Sequence, residues 1–309
     1  MSLRVGKAPR MKKVDFFIVG GAKCGTTWVH NMLAQRHDVS LPAQKETNFF
    51  AFLGKDVNFS GPLDKENTNK FTVRNLSAYH ELFSNERAAW IEACPSYLYV
   101  KEAAENIYQY NREAKVLIIL RDPVERAWSN HQHLVRDGAE QESFEKALEL
   151  ESVRHEAGWV WFWDMFKQGL YFDQVVRYLT VFPAGSVKVM FFEDIQRDAL
   201  AFMREVEMFF GLPELSYQFS VDKNESGVPS GGFVGVHRLL YQPSGFNALL
   251  RKLLPEQARK KLSSLFKRSI MQKQVICPET RSQLVKRYIP EIEKLEQLLE
   301  RDLSLWKQP

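Results

Sequence analysis

Cysteine is scarce: the chain of 309 residues has three, Cys24, Cys94 and Cys277, widely spaced and odd in number. That pattern argues against a disulfide framework, offers no metal-ligand spacing, and fits a reducing, cytoplasmic compartment. Long apolar runs are missing. None approaches the about 20 residues needed to cross a bilayer, so no membrane span is expected. The first residues lack an apolar segment, so no signal peptide is expected either. No excess of one charge stands out, with 42 Lys and Arg against 38 Asp and Glu, a net +4. Such a balance suits anionic ligands but leaves no basic tract for a nucleic-acid partner. Repeats and low-complexity segments are absent as well, which excludes solenoids and fibrous arrays.

What remains is an ordinary globular composition, 45% apolar and 26% charged. It can support one large core. The basic stretch Arg4 to Lys13 reads as a solvated arm over residues 1–13. Apolar strands are expected at 14–19, 88–93, 115–120 and 186–192, with helical patterns at 26–36, 101–111, 123–136, 168–181 and 197–210. Short apolar strands alternating with helices imply an α/β fold, a central parallel sheet in a three-layer α/β/α arrangement. The expected organisation is a single domain over 1–309, with a core at 14–240 and C-terminal helices at 241–309. The last of these, over 279–303, is amphipathic, and Pro290 is expected to break it.

The informative stretch is 14–31. Val14 to Val19 reads as a buried strand, Gly20, Gly21 and Gly25 permit a tight turn, and Thr26 and Thr27 open a helix with Val29, Met32 and Leu33 on one face. A strand, a glycine loop and a helix N-terminus together cradle anions, because N–H groups and the positive end of the helix dipole converge. The spacing Gly20-x-x-x-x-Gly25-Thr26-Thr27 is close to the nucleoside-triphosphate loop, but Thr26 stands where that motif has Lys, and Lys23 sits inside the loop. A glycine turn without a ligand is the plain alternative. Cys24 reads as a small loop-filling residue, since no base adjoins it.

Ligands of parallel sheets sit at the carboxyl ends of strands. Following the first helix, Lys45-Glu46 lies beside Phe49-Phe50. Glu46 is either a base for an attacking hydroxyl or amine, or half of a solvent-facing ion pair. Residues 54–74 are turn-rich and read as a surface excursion. At 92–99, Pro95 ends a strand; Ser96 and Tyr97 either line a pocket or, for Ser96, cap a helix. Arg121 follows the strand at 115–120, Asp122 caps the next helix, Pro123 occupies its first position, and Ser129 lies two turns along. Arg121 has the fork to bind an oxyanion, and Ser129 faces the same task. His131 and His133 are two apart and share no helix face, which argues against a metal pair. Dense aromatics at 159–172 are either packed core or an acceptor wall. Glu193-Asp194 reads as a cap for helix 197–210, Gly211 ends that helix, and the loop 224–232 either folds over a nucleotide or is a linker.

These motifs in this order resemble sulfotransferases that use 3′-phosphoadenylyl sulfate (PAPS), nearest to bacterial members and to heparan sulfate sulfotransferase domains. The resemblance covers roughly residues 14 to 240. It implies the P-loop NTPase-like sulfotransferase fold. It implies that Ala22, Lys23, Cys24, Gly25, Thr26 and Thr27 hold the 5′-phosphosulfate, that Trp28 lies near the adenine, and that Arg121 and Ser129 bind the 3′-phosphate. Phe192, Ser230 and Gly231 would enclose the cofactor. Glu46, in Lys-Glu-x-x-Phe-Phe, would be the catalytic base, and Lys23 would stabilise the leaving phosphate. Cytosolic members use a His base for which no matching motif is evident, leaving His131 or His133 in reserve. Many relatives carry a basic residue after Gly-Val-Pro, where this chain has Ser230 and two glycines. The product would be adenosine 3′,5′-bisphosphate, the acceptor a small molecule, carbohydrate or lipid, and no metal would be required, since a sulfuryl group carries less charge than a phosphoryl group. A P-loop kinase, or a non-catalytic nucleotide-binding module, is the alternative.

Overall fold

The computed structural model describes residues 12–84, 88–218, 228–229, 271–272 and 274–309. Two compact units emerge. The first comprises residues 1–57, 71–120 and 173–219; the second comprises 58–70, 121–172 and 220–309.

The first unit is built on a parallel sheet. Its strands are β1 (Phe16–Ile18), β2 (Val39–Ser40), β3 (Ala89–Ala93), β4 (Lys115–Leu120) and β5 (Val187–Phe191), in the order β2-β3-β1-β4-β5. β1 is central. Phe17 is in register with Glu92 on one side and with Val116 on the other. Because every pairing is parallel, all five strands end at one edge. β4 is a continuous apolar run whose last five residues are buried, as a strand covered on both faces requires.

Two helices cover one face. α1 (Thr26–Leu33) turns Val29, Met32 and Leu33 inward, and α10 (Ala199–Phe210) turns Phe202, Met203, Val206 and Phe210 inward, with Ile18, Leu117 and Ile119 of the sheet in the same cluster. Burying each such side chain contributes about 1.5–3 kcal/mol. Phe16 stacks on Phe210 with ring centroids 4.4 Å apart. The opposite face carries Phe17, which meets Phe50 edge-on at 5.5 Å. The other helices of this unit are α2 (Leu76–His80), α3 (Ser96–Tyr99), α4 (Ala103–Tyr110), α8 (Tyr171–Val181, whose first two residues belong to the second unit) and α9 (Phe192–Arg197).

Several boundaries depart from expectation. β2 had no sequence signal; it is two residues long and defined only by its pairing with β3, Val39 with Ala89 and Ser40 with Trp90. α9 was not expected. It takes Glu193 and Asp194 into its first turn, so the cap of α10 is Asp198, which accepts from Ala201 N at 2.9 Å. Gly211 ends α10 in the left-handed region, φ 75°. Ser96 caps nothing: it is the first residue of α3 and lies 3.1 Å from the Cys94 thiol.

The second unit contains α5 (Pro123–Arg136), α6 (Phe144–Glu149), α7 (Glu151–Glu156) and α11 (Pro278–Leu299), with an antiparallel pair β6 (Val228–Pro229) and β7 (Met271–Gln272). α11 passes Pro290 without a break. Buried residues on both sides of it, Leu284, Val285 and Tyr288 before and Ile292 and Leu295 after, outweigh the lost hydrogen bond. The segment 58–70 is not a plain surface excursion. Asp64 is buried and accepts from Gly61 N, Val160 N and Trp163 Nε1 at 3.0, 2.9 and 3.2 Å. The aromatic stretch forms short 3-10 turns, Trp161–Trp163 and Lys167–Gly169, rather than a helix on the sheet. Trp163 and Met165 are buried core, and Arg154 lies 4.9 and 5.1 Å from the Trp159 and Trp163 rings. Among the described residues no helix is long and apolar enough to cross a membrane.

Candidate active site

The turn leaving β1 owes its shape to backbone proximity. A Cβ on Gly20 would lie 2.4 Å from Ile119 N, so only glycine lets the chain pass β4 there. Gly21 N then donates to Ile119 O at 3.0 Å, and Cys24 N to Gly21 O at 3.2 Å. Gly25, the N-cap of α1, has φ 92°. No side chain caps α1 and its first turn holds no carboxylate, so its N-terminal dipole faces no competing anion from its own helix. Thr26 is buried and Thr27 exposed. Cys24 is buried, its thiol 3.7 Å from Ala22 O. A Cβ on Gly25 would lie 2.9 Å from the Phe192 ring, so Phe192, the first residue of α9, packs directly against this loop. Trp28 meets Phe202 edge-on at 6.2 Å.

Lys23 adopts φ 68°, Glu46 φ 59° and Asn48 φ 54°. Non-glycine residues avoid this region, and strain of that kind gathers at functional sites. Five such residues occur among those described, and three lie in these two loops of the first unit. Glu46 is exposed and pairs with the Lys45 ammonium, which is what a solvent-facing ion pair looks like, on a backbone that such a pair alone would not demand.

His30 of α1 lies in the field of both groups. Burial is the main cause of its pKa falling to about 4; Lys45 lowers it further and Glu46 opposes. The imidazole is therefore neutral at pH 7, and its buried Nδ1 has no hydrogen-bond partner among the described residues.

Beneath Glu46 lies a buried polar cluster that sequence reading missed. Glu92 of β3 is fully buried. It accepts hydrogen bonds from Thr47 Oγ1 at 2.5 Å, Tyr97 Oη at 2.9 Å and Tyr79 Oη at 2.5 Å. Burial raises its pKa to about 6, partly offset by those three donors. The same burial, with Glu92 beside them, pushes the Tyr79 and Tyr97 phenols far up. An acidic residue inside an otherwise apolar strand was the available signal.

In the second unit, Asp122 caps α5, accepting from Val124 N at 2.8 Å and Glu125 N at 3.3 Å. Its other oxygen lies 3.2 Å from Arg281 Nη2. Burial raises the Asp122 pKa, with Arg281 pulling the other way. Arg121 lies 3.6 Å from Glu125, and its carbonyl accepts from Tyr171 Oη at 2.9 Å. Ser129 is buried two turns along α5. His131 bonds to Glu142 O at 3.0 Å and burial lowers its pKa; His133 lies 3.4 Å from Asp137. Ser230 and Gly231 lie outside the described residues.

The family model described as "Sulfotransferase domain" matches residues 13–225. The crystal structure of a sulfotransferase from Alicyclobacillus acidocaldarius is similar, with 31% identity, a TM-score of 0.73, and coverage of 96% of this chain and 100% of that one. Heparan sulfate glucosamine 3-O-sulfotransferase 3A1 of Mus musculus is 28% identical over 145 residues, 46% of this chain and 36% of that protein. Heparan sulfate glucosamine 3-O-sulfotransferase 5 of Homo sapiens is 26% identical over 211 residues, 66% of this chain and 55% of that protein. The matched part thus spans between about a third and about half of these curated relatives' length. A parallel five-stranded sheet with a glycine turn after its central strand, matched by that family model over more than half its length, places this chain in the sulfotransferase-domain family.

Proposed function

We propose that this chain transfers a sulfuryl group from PAPS to a hydroxyl or amine acceptor, releasing adenosine 3′,5′-bisphosphate. The observation that carries the reading is the turn at 20–27, where a strand end, a left-handed Lys23 and a helix start without a side-chain cap meet in a sulfotransferase-family chain. Backbone N–H groups of Gly25, Thr26 and Thr27 at the helix start suit the phosphosulfate, and the Lys23 ammonium suits the bridging oxygen as negative charge grows there. Glu46 takes the acceptor proton while the new bond to sulfur forms and the bond from sulfur to the bridging oxygen breaks. Phe192 and Trp28 flank the same turn and suit the adenine side. Arg121 and Ser129 are assigned to the 3′-phosphate, and Ser230 and Gly231 to the enclosing loop, by resemblance. No metal has a part in this scheme. The cofactor and catalytic core is assigned to residues 14–240 by resemblance, and the family model covers residues 13–225 of the chain.

The names of the heparan sulfate relatives favour a carbohydrate over a lipid or another small-molecule acceptor. A kinase reading would need an Asp free to hold a magnesium ion. Asp122 is the residue placed for it, and its oxygens serve the α5 N–H groups and Arg281. Thermal-shift titration separates the two readings. Stabilisation by adenosine 3′,5′-bisphosphate without Mg²⁺ supports sulfuryl transfer, and a requirement for Mg²⁺-ATP overturns it. An acceptor screen with labelled PAPS, read by mass spectrometry, then identifies the acceptor; binding with no product would leave a non-catalytic nucleotide module.

A further inference from the structure

Thr47 follows Glu46 directly and is buried, with its carbonyl and its hydroxyl both engaged in local structure. Its carbonyl accepts from Val73 N at 2.9 Å, and its hydroxyl accepts from Phe49 N at 3.2 Å while donating to Glu92. Tyr97 does the same one residue on: its hydroxyl accepts from Phe50 N at 3.3 Å while donating to Glu92. Each hydroxyl has a single proton. The two hydroxyls lie 3.0 Å from each other and both reach the same Glu92 oxygen. An ionised carboxylate only accepts and attracts a proton more strongly than a neutral hydroxyl does, which favours both protons on Glu92 and both hydroxyl lone pairs toward the loop. Two consecutive backbone N–H groups after Glu46 are thereby held on oxygens that Glu92 has oriented. Tyr79, on the other carboxylate oxygen, completes the set.

We infer that Glu92 is a positioning residue for Glu46: through the hydroxyls of Thr47 and Tyr97 it locks the turn that keeps Glu46 in its left-handed conformation. The catalytic side of this inference rests on Glu46 being the base; the conformational side does not. A loop held by a buried, charged acceptor loses geometry when one hydroxyl goes, and a shift of about 1 Å at a reacting group can cost roughly a hundredfold in rate.

The test uses the full chain crystallised with adenosine 3′,5′-bisphosphate. Thr47→Val removes one hydroxyl and keeps the shape; Thr47→Ser restores the hydroxyl. In Thr47→Val the backbone of Glu46 is expected to leave φ 59°, with the carboxyl displaced by about 1 Å or more, and Thr47→Ser is expected to return it. Glu92→Met, which offers no acceptor oxygen, should reproduce the displacement; if that variant does not fold, Thr47→Val decides. Nucleotide affinity stays within about threefold of wild type throughout, because the phosphate turn is untouched. With the acceptor found by the mass-spectrometric screen, Thr47→Val lowers kcat by roughly tenfold or more at little change in KM, and adds less than about twofold to Glu46→Gln. Glu46 keeping its conformation in Thr47→Val overturns the inference, as does an equal loss of kcat in both backgrounds. Failure of the base reading shows separately, as wild-type turnover by Glu46→Gln.

Discussion

Gly20 and Ile119 approach so closely that a single added methyl on Gly20 would stand 2.4 Å from Ile119 N and 2.8 Å from Ile119 O. Both contacts are to backbone of the neighbouring strand, which cannot rotate aside. The turn at 20–27 therefore starts from a rigid point, held between β1 and β4.

Gly20→Ala is expected to lower stability by about 1–3 kcal/mol, since overpacking against backbone must separate the strands. Adenosine 3′,5′-bisphosphate affinity falls with it. Thermal melts with and without the nucleotide check both; an unchanged melting temperature would show that the strands part freely.

Glu46→Gln should lower kcat by about 10²–10⁴ and leave nucleotide affinity nearly as it was. Lys23→Ala should cost about 10²–10³ in kcat, as loss of a preorganised charge on the leaving oxygen does. Steady-state rates with the screened acceptor, beside calorimetric binding of the nucleotide, distinguish the two roles.

Arg121→Ala should weaken adenosine 3′,5′-bisphosphate by about 1.5–3 kcal/mol, the usual size of a charge-assisted hydrogen bond. It should barely affect adenosine 5′-phosphate, which lacks the 3′-phosphate. Equal weakening of the two nucleotides in isothermal titration removes Arg121 from that role.

Glu92 makes a signed prediction about pH. Its carboxyl is raised from 4.5 to about 6, so the folded chain holds this proton more tightly than the unfolded one. Stability from this group is therefore full below pH 4.5 and is lost as pH rises through about 6. The size is about 2 kcal/mol. Tyr79, Tyr97, Tyr110 and Cys94 face Glu92 and all stay neutral, because burial raises each of them. His30 acts with the opposite sign, gaining stability as pH rises between about 4 and 6.5. The measurement is consequently a difference: denaturant unfolding of wild type and Glu92→Gln at pH 4.5 and 7. Wild type should lose ground to the variant between those two points, and parallel curves would refute the shift.

Much of this protein was legible along the chain, wherever short-range chemistry decides. Asp122 before Pro123 announces the start of α5, and Gly211 the end of α10, because cap geometry involves only neighbours. The turn after β1 reads from its glycines and its apolar strand in the same way. The tertiary structure alone decided what depends on distant partners. β2 exists only because β3 lies beside it, and α11 survives Pro290 only because its buried face is packed on either side. The left-handed pose of Glu46 comes with hydroxyls and a carboxylate brought together from positions 47, 79, 92 and 97. A buried charge takes its partners from whatever the fold places around it, and no local pattern encodes which those are.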